Sequence, residues 1–175
     1  DQIRRTGSGS GGMAAYFANL NRSKRSIALD LLRPEGQEVL QRLFDEADVV
    51  IHAYRPQAAE KLRIDEASVK TPGRERLIYV EIVGFGKTGP LAGRAVYDHV
   101  IQALSGIAAL QTDPATGTPT LIRQGVIDKT TGHVAAQTIT AALLRRALAG
   151  EGQSISITML DVALNFLWPD GMMNN

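Results

Sequence analysis

One acidic residue, Asp128, lies where a short polar segment meets a long apolar one. It belongs to the sequence Gly125-Val-Ile-Asp-Lys-Thr-Thr-Gly132, which leads into the apolar run from Val134 to Leu148. A carboxylate at the start of a helix is held by free backbone N–H groups and is favoured by the positive end of the helix dipole. Asp128 is therefore either a helix N-cap or an exposed, oriented nucleophile.

Two features of this segment favour a chemical role over simple capping. Gly125 and Gly132 leave room for a ligand to approach Asp128 from either side. The segment also joins two predicted elements of secondary structure, and α/β sheets usually bind their ligands in such loops. Without these features an aspartate in this position is more often a cap, so both interpretations stay open at this point.

The other reactive residue types do not form a recognisable site. The histidines His52, His99 and His133 are scattered, and none is paired with an acidic residue at the spacing of metal ligands. The chain has no cysteine and no G-x-S-x-G nucleophile motif. Gly84-Phe-Gly86 lacks the spacing of a dinucleotide-binding loop, so we interpret it as a chain reversal after a strand. The sequence thus argues against metal, thiolate and serine chemistry.

Two groups of basic residues suit either a phosphorylated ligand or a solvated surface. Arg22, Lys24 and Arg25 precede a predicted strand, and Lys61 and Arg63 lie near the end of a predicted helix. Positive charge beside backbone donors binds phosphate well. Taken alone, the first group is more often a solvated loop, and the second carries the same ambiguity.

The overall charge and hydropathy exclude several classes of protein. The 175 residues carry 19 Lys and Arg against 18 Asp and Glu, a net charge of +1, so we expect no nucleic acid partner. The hydrophobic fraction of 44% supplies ample material for a core. No apolar run approaches the ~18 residues that span a bilayer, and no signal peptide is visible. We therefore expect a cytoplasmic protein that does not insert into membranes.

Short apolar runs typical of strands alternate with segments of helical periodicity. The predicted strands are Ser26–Leu29, Val49–Ile51, Leu77–Ile82 and Ser154–Ile157. The predicted helices begin at Pro34, near Ala58, near Tyr97 and Asp98, at Asp128 and at Leu160. Residues 112–120 are rich in Thr, Pro and Gly and are predicted to form a loop. This alternation predicts an α/β fold with a mostly parallel sheet flanked by helices.

Several motifs follow one another along the chain in a recognisable order. The first is Asn19-Leu-Asn-Arg-Ser-Lys-Arg-Ser-Ile-Ala-Leu-Asp30, and the second is Ala47-Asp-Val-Val-Ile-His-Ala-Tyr-Arg-Pro56. They are followed by Leu77-Ile-Tyr79, Gly84-Phe-Gly86, Tyr97-Asp98, Gln102-Ala-Leu-Ser-Gly106, Asp128 with Gly132, Ala141-Ala-Leu-Leu-Arg145 and Gly150-Glu-Gly-Gln153. In this order, and over nearly the whole chain, the motifs resemble those of family III CoA-transferases. That family contains formyl-CoA transferase, carnitine CoA-transferase and α-methylacyl-CoA racemase.

The resemblance implies that residues 1–175 are a fragment of a large Rossmann-like domain. Members of the family are longer, with a strand and a helix before this segment and a smaller domain after it. They also form homodimers whose two chains are interlocked like rings. We therefore expect this chain by itself to be inactive, because part of the active site lies outside it.

The resemblance further implies that Asp128 is the nucleophile of a CoA-transferase. Its carboxylate would attack the thioester carbonyl of an acyl-CoA, forming a mixed anhydride and releasing CoA thiolate. The thiolate would then attack the aspartyl carbonyl to give an aspartyl-CoA thioester. A carboxylic acid would take over the CoA through a second anhydride. Such covalent catalysis divides one difficult exchange into easier steps and needs no metal.

The resemblance also places coenzyme A beside a second set of residues. These are Leu29, Ala53, Tyr54, Lys61 and Leu62, together with the motif Tyr97 and Asp98. Lys61 stands where a basic residue meets the nucleotide, and Tyr54 stands where an aromatic ring packs against it. The family's usual Asn is Ala53 here, so one polar contact is lost or is replaced by His52 or Arg55.

Tyr97 bears on the choice between CoA transfer and racemisation. Racemases of the family carry a His before the Asp of the motif that matches Tyr97-Asp98, and that His acts as an acid and base. A tyrosine side chain, with an ordinary pKa of about 10, is a poor proton shuttle near neutrality. The sequence thus favours a CoA-transferase over a 2-methylacyl-CoA racemase, with a non-catalytic CoA-binding module as the third hypothesis. Asp98 is either a second carboxylate near the site or the N-cap of its own helix.

Overall fold

The computed structural model describes residues 2–172, which divide into two compact units between residues 30 and 31. The first unit contains a 3₁₀ helix (Gln2–Arg5), an antiparallel pair of short strands, β1 (Gly9–Ser10) and β2 (Met13–Ala14), and the helix α1 (Ala15–Leu20). The guanidinium of Arg4 lies 4.1 Å from the centre of the Phe17 ring, in a cation–π contact that stabilises this small unit.

Residues 26–29 do not form the strand that the sequence predicts. Residues 24–30 have no regular secondary structure, and Ile27 is 61% exposed. A strand persists where a neighbouring strand pairs with its backbone and where its apolar side chains are buried. Within this unit neither condition is met, so the apolar run alone does not produce a strand.

The second unit alternates helices and strands. Its helices are α2 (Pro34–Glu46), α3 (Pro56–Leu62), α4 (Glu66–Val69), α5 (Asp98–Ser105), α6 (Ile107–Leu110), α7 (Val126–Ala149) and α8 (Met159–Met172). Its strands are β3 (Val49–His52), β4 (Ile78–Val83) and β5 (Ser154–Thr158). Both α2 and α3 begin on a proline, whose fixed φ suits the first helical position. Within residues 2–172, no helix is long and apolar enough to cross a membrane.

The sheet of this unit is parallel throughout. Its strands pair in the order β3, β4, β5, with Val49 opposite Ile78 and Tyr79 opposite Ser154. Parallel neighbours need long crossover connections, which are made here by α3 and α4 and then by α5, α6 and α7. The predicted α/β fold with a mostly parallel sheet is therefore confirmed.

Alternate side chains of β4 pack against helices on opposite faces of the sheet. Tyr79 joins a cluster that includes Phe44 of α2 and Ala59 of α3. Ile78 and Val80 join a cluster on the other face, built with residues of α7, β5 and α8. Because both faces are covered, β4 is apolar at nearly every position instead of alternating between apolar and polar.

A third apolar cluster holds the start of α7 against α5, α6 and α8. Its buried members are Phe85, Ile101, Ile107, Ile127 and Ala163. Ile127 is fully buried, and burying such a side chain stabilises the fold by roughly 1.5–3 kcal/mol. The helix therefore begins at Val126, earlier than the predicted start at Asp128. This early start carries Ile127 into the core and places Asp128 inside the first helical turn.

Candidate active site

A cavity of about 980 Å³ opens at the carboxyl ends of the parallel strands. It is lined by residues that follow β3, such as Ala53 and Tyr54, by the end of β4, and by Asp128 from the first turn of α7. Parallel α/β sheets place their ligands at this end of the strands. A side chain at Gly84 would overlap Val96, so glycine here lets the loop after β4 pack closely along the cavity wall.

Two carboxylates stand beside each other at the start of α7. The backbone N–H of Asp128 donates a hydrogen bond of 2.8 Å to Oδ2 of Asp98. A Cβ placed on Gly125 would lie 3.6 Å from Oδ2 of Asp98 and 3.6 Å from Oδ2 of Asp128, so the two acids flank this glycine. Helix N-termini leave backbone N–H groups without partners. Asp98 therefore supplies the cap of α7 from a different helix.

This arrangement bears on two alternatives that the sequence left open, the capping roles of Asp128 and of Asp98. The residue that precedes α7 is Gly125, without a side-chain cap, and Asp128 is the third helical residue, so Asp128 is not the N-cap. Asp98 is the first residue of α5 after Tyr97, so it does not cap its own helix either. Asp98 is instead the second carboxylate near the site. Within residues 2–172, no group donates a hydrogen bond to the Asp128 carboxylate.

The environment of Asp128 favours its protonated form. Burial raises the pKa of the Asp128 carboxyl above its usual range, and the negative charge of Asp98 raises that pKa further. The Asp128 residue as a whole is nevertheless exposed and lines the cavity. A carboxylate that is accessible, free of hydrogen bonds and more basic than usual is suited to nucleophilic attack.

Gln102 ties Asp98 to the segment that precedes α7. Its side chain lies on α5 and is only 1% exposed. Its Nε2 donates to Oδ1 of Asp98 at 2.5 Å and to the carbonyls of Ile122 and Gln124 at 3.3 and 3.2 Å. Its Oε1 accepts the N–H of Ile122 at 2.9 Å. In the sequence, Gln102 is notable only as the first residue of the motif Gln102–Gly106.

A histidine and a tyrosine form a second polar contact at the cavity. Nδ1 of His52 accepts the backbone N–H of Tyr54 at 3.2 Å, so the neutral ring carries its proton on Nε2, which lies 2.7 Å from the Tyr79 hydroxyl. Burial lowers the pKa of His52 and raises the pKa of Tyr79. Both groups therefore stay neutral near neutral pH, and His52 helps to fix the backbone at Tyr54.

Charged side chains of both signs line the same cavity. Lys87 pairs with Glu81 at 2.6 Å, and this hydrogen bond raises the pKa of Lys87. Arg55 and Arg94 also line the cavity, and their guanidinium groups have no ion-pair or hydrogen-bond partner within residues 2–172. Glu81 was not predicted as a site residue, although an acidic residue within an otherwise apolar strand could have indicated one.

The structure brings several of the predicted site residues together. Ala53, Tyr54, Tyr97 and Asp128 line the large cavity. Asp98 contacts this group through Asp128. Tyr97 is 69% exposed, and its ring stacks on that of His99 at a centroid distance of 6.0 Å.

The remaining predicted residues lie elsewhere. Lys61 lines a second cavity of about 480 Å³, with Arg33 and Arg63. Leu62 packs against the cluster around Phe44, and its carbonyl accepts a hydrogen bond from Gln37. Leu29 belongs to the first unit.

No group of three or more His, Cys, Asp or Glu side chains in the described part of the chain is placed to hold a metal ion. The polar groups of the cavity are thus arranged as hydrogen-bonded pairs and single charges.

Comparison with known proteins relates this geometry to a family. The model for CoA-transferase family III matches residues 1–174. Succinate–glutarate CoA-transferase of Agrobacterium fabrum is 40% identical over 149 residues, which cover 85% of this chain and 37% of that protein. The probable fatty acyl-CoA transferase Rv3272 of Mycobacterium tuberculosis is 36% identical over 154 residues, which cover 87% of this chain and 38% of that protein. The chain thus spans little more than a third of the length of these relatives.

A solved structure agrees with the sequence matches. The crystal structure of a CAIB/BAIF family protein from Brucella suis superposes with a TM-score of 0.90 at 38% identity, covering 99% of this chain and 47% of that one. The family model and the two relatives each cover most of this sequence, and the fold agrees over nearly its full length. The chain belongs to CoA-transferase family III.

Proposed function

We propose that this chain carries the nucleophile and part of the CoA-binding surface of an enzyme that moves CoA from an acyl-CoA thioester to a carboxylic acid. One observation carries the proposal. The Asp128 carboxylate lines the large cavity without a hydrogen-bond donor, because Asp98 takes over the capping of α7. An aspartate that does not cap its helix and that lies beside a cavity can attack a carbonyl group bound there.

In the first half of the reaction, an Asp128 oxygen attacks the thioester carbonyl of the acyl-CoA. The C–S bond breaks, and the products are a mixed anhydride on Asp128 and CoA thiolate. The thiolate then attacks the aspartyl carbonyl of the anhydride. The donor acid leaves as a carboxylate, and Asp128 becomes a CoA thioester. The positive end of α7 favours the negative charge that develops on these oxygens.

In the second half, the acceptor carboxylate attacks the aspartyl-CoA carbonyl. CoA thiolate leaves, and a second anhydride joins Asp128 to the acceptor. The thiolate attacks the acceptor carbonyl, which releases the new acyl-CoA and restores the Asp128 carboxylate. No oxidant, reductant or net proton is required. Each anhydride must be shielded from water. Asp128 is exposed in this chain, so we expect the bound substrates and the rest of the longer polypeptide to provide that shielding.

The two cavities supply surfaces for coenzyme A. We assign the arm of the cofactor to the large cavity, where Ala53 and Tyr54 follow β3 and the unpaired Arg55 and Arg94 offer positive charge. Guanidinium groups bind phosphate through paired hydrogen bonds. Lys61 and Leu62 lie at the end of α3, on the side of the second cavity. There Lys61 would meet the nucleotide. Leu29, in the first unit, stays a proposed CoA contact that rests on the family resemblance.

The substrates and the assembly extend beyond this chain. One relative is named for succinate and glutarate and another for fatty acyl groups, so the family name alone selects no acyl group for this chain. We propose that residues 1–175 are part of the large Rossmann-like domain of a longer polypeptide. That polypeptide would work in the cytoplasm as an interlocked homodimer, and residues 1–175 alone would not turn over. The small share of each relative that the chain covers supports this view.

A 2-methylacyl-CoA racemase is the alternative activity. The His that acts as acid and base in racemases of the family is Tyr97 here. The Tyr97 ring stacks on His99, and His99 does not line the cavity. This observation favours transfer. A non-catalytic CoA-binding module is the third hypothesis. It does not explain why a carboxylate without a hydrogen-bond donor lies at the cavity.

One assay separates the three hypotheses. The full-length protein that contains this chain should be incubated in deuterated water with a panel of acyl-CoA donors, a chiral 2-methylacyl-CoA among them, and with a panel of carboxylic acids. We expect new acyl-CoA products formed from the acids, with no deuterium at the α-carbon of the donor. Deuterium exchange without transfer would establish a racemase, and the absence of both reactions would support a binding module.

The raised pKa of Asp128 predicts a shifted pH profile. Protonated Asp128 is not a nucleophile, so kcat/KM should fall on acidification at a higher pH than an ordinary aspartate would give. Asp98→Asn removes the charge that contributes to the shift, so the acidic limb should move to lower pH while burial keeps part of the shift. Rate measurements across the acidic range test this. Glu151→Gln changes an exposed acid away from the cavity, so it should leave the acidic limb of the kcat/KM profile in place. An acidic limb that does not move in Asp98→Asn would show that the charge of Asp98 does not raise the pKa of Asp128.

A further inference from the structure

Gln102 is a buried neutral side chain whose hydrogen bonds all lead toward the start of α7. Its amide reaches Asp98, Ile122 and Gln124, and the backbone N–H of Val126 in turn donates to the Gln124 carbonyl at 2.8 Å. A leucine or methionine would fill the same buried position without needing polar partners. The amide thus makes polar contacts that the filling of space alone would not require.

The Asp98 carboxylate depends on these neutral donors. Within residues 2–172, no cation forms an ion pair with Asp98. Its Oδ1 accepts from Gln102, and its Oδ2 accepts from the N–H of Asp128. The side chain is half-buried. A carboxylate in this position that loses one of two donors turns toward another donor or toward water, because an unpaired buried charge is strongly disfavoured.

The position of Asp128 depends in turn on the first turn of α7. Residues 122–124 are bonded to Gln102, and the N–H of Asp128 is bonded to Asp98, so both sides of Gly125 are anchored on α5. A displacement of this turn would move the reacting carboxylate directly. A misplacement of about 1 Å in an active site lowers the rate by about 100-fold.

We propose that Gln102 is a positioning residue for CoA transfer, which holds Asp98 against the first turn of α7 and thereby fixes the Asp128 carboxylate in the cavity. The inference rests on the proposed function of Asp128. Gln102 touches neither substrate nor cofactor, and it acts through Asp98 and through the segment 122–124.

The test is a double-mutant cycle in the full-length protein, with kcat and KM for acyl-CoA measured separately. Gln102→Met keeps the approximate length and shape of the side chain and removes the hydrogen bonds of its amide. It should lower kcat by roughly 10- to 100-fold, as expected for the loss of a hydrogen bond to a charged group, with KM nearly unchanged. In an Asp98→Ala background, Gln102→Met should have a much smaller effect on kcat, because its main target is already gone.

Two further variants separate positioning from loss of folding. Gln102→Glu keeps an oxygen that accepts the N–H of Ile122 but places a second oxygen against Asp98 in place of the donor. It should therefore also lower kcat, and it provides the test if Gln102→Met does not fold. Ser105→Ala is the control, because Ser105 is buried on the same helix and bonds only to the Gln102 carbonyl. It should keep the kcat of the unmodified protein.

The outcomes distinguish this inference from the proposed function. An unmodified protein without any CoA transfer would refute the function itself. An active protein whose Gln102 variants fold and keep kcat would overturn the inference and leave the function intact. The inference would also fail if the effects of the Gln102 and Asp98 changes on kcat simply multiplied.

Discussion

Asp128→Asn should lower kcat for CoA transfer by at least about 10³-fold, because an amide cannot form the anhydride on which every later step depends. Asp128→Glu keeps the carboxylate but extends it by one methylene group. It should retain weak activity, lower by about 100-fold, since the reacting oxygen is displaced by about 1 Å. Steady-state rates of transfer in the full-length protein test both changes. Near-normal transfer by Asp128→Asn would exclude a nucleophilic role.

Stability provides the control for this variant. The pKa of Asp128 is raised in the folded protein, so the stability that its protonated form contributes is present below the unfolded pKa, about 3.9. That contribution is lost as the pH rises through the folded pKa. At neutral pH, Asp128→Asn should therefore keep or raise the Tm and should still bind CoA. A lowered Tm would indicate that lost activity reflects lost structure.

Gly152→Ala should destabilise the protein by about 2–3 kcal/mol. A Cβ at Gly152 would overlap the carbonyl oxygens of Leu77 and Arg76, which belong to the backbone and cannot turn aside. The N–H of Gly152 also donates to the carbonyl of Glu75 at 2.8 Å, just before β4 and β5 pair. Thermal unfolding should show a Tm lower by roughly 4–12 °C for a domain of this size.

Gly132→Ala is the matched control for that substitution. Gly132 lies inside α7, and a Cβ there would meet no atom within 4 Å among residues 2–172 other than its chain neighbours and the nearby backbone of the helix. Alanine is more favourable than glycine in a helix by roughly 0.5–1 kcal/mol, so the Tm should rise slightly. If Gly152→Ala left the Tm unchanged, Gly152 could not lie as close to the backbone of Arg76 and Leu77 as the structure shows.

Local patterns predicted those parts of the fold that are buried on both sides or marked by a proline. The apolar run Leu77–Ile82 is β4 with a shift of one residue, and Pro34 is the first residue of α2 as predicted. The helix α3 begins at Pro56, two residues before its predicted start near Ala58. The strand predicted at Ser26–Leu29 failed because an apolar run indicates a strand only where a partner strand and a buried face are available.

The candidate site could be predicted only in part. The resemblance to the family points to Asp128 and to the residues after β3, but the sequence left open whether Asp128 itself caps α7 and did not indicate that Asp98 does so. The correct partner, Asp98, is 30 residues away, and Gln102 bonds to Ile122 across 20 residues. Such contacts depend on how α5 packs against the start of α7. No local pattern of spacing records that packing.

The nucleophilic role of Asp128 is tested most directly by trapping its anhydride or CoA thioester. The full-length protein should be incubated with acyl-CoA and hydroxylamine, digested, and analysed by mass spectrometry. Hydroxylamine attacks an activated aspartyl carbonyl and leaves a hydroxamate, so the account predicts this modification on Asp128 and only when acyl-CoA is present. An unmodified Asp128 in a preparation that transfers CoA would contradict the account.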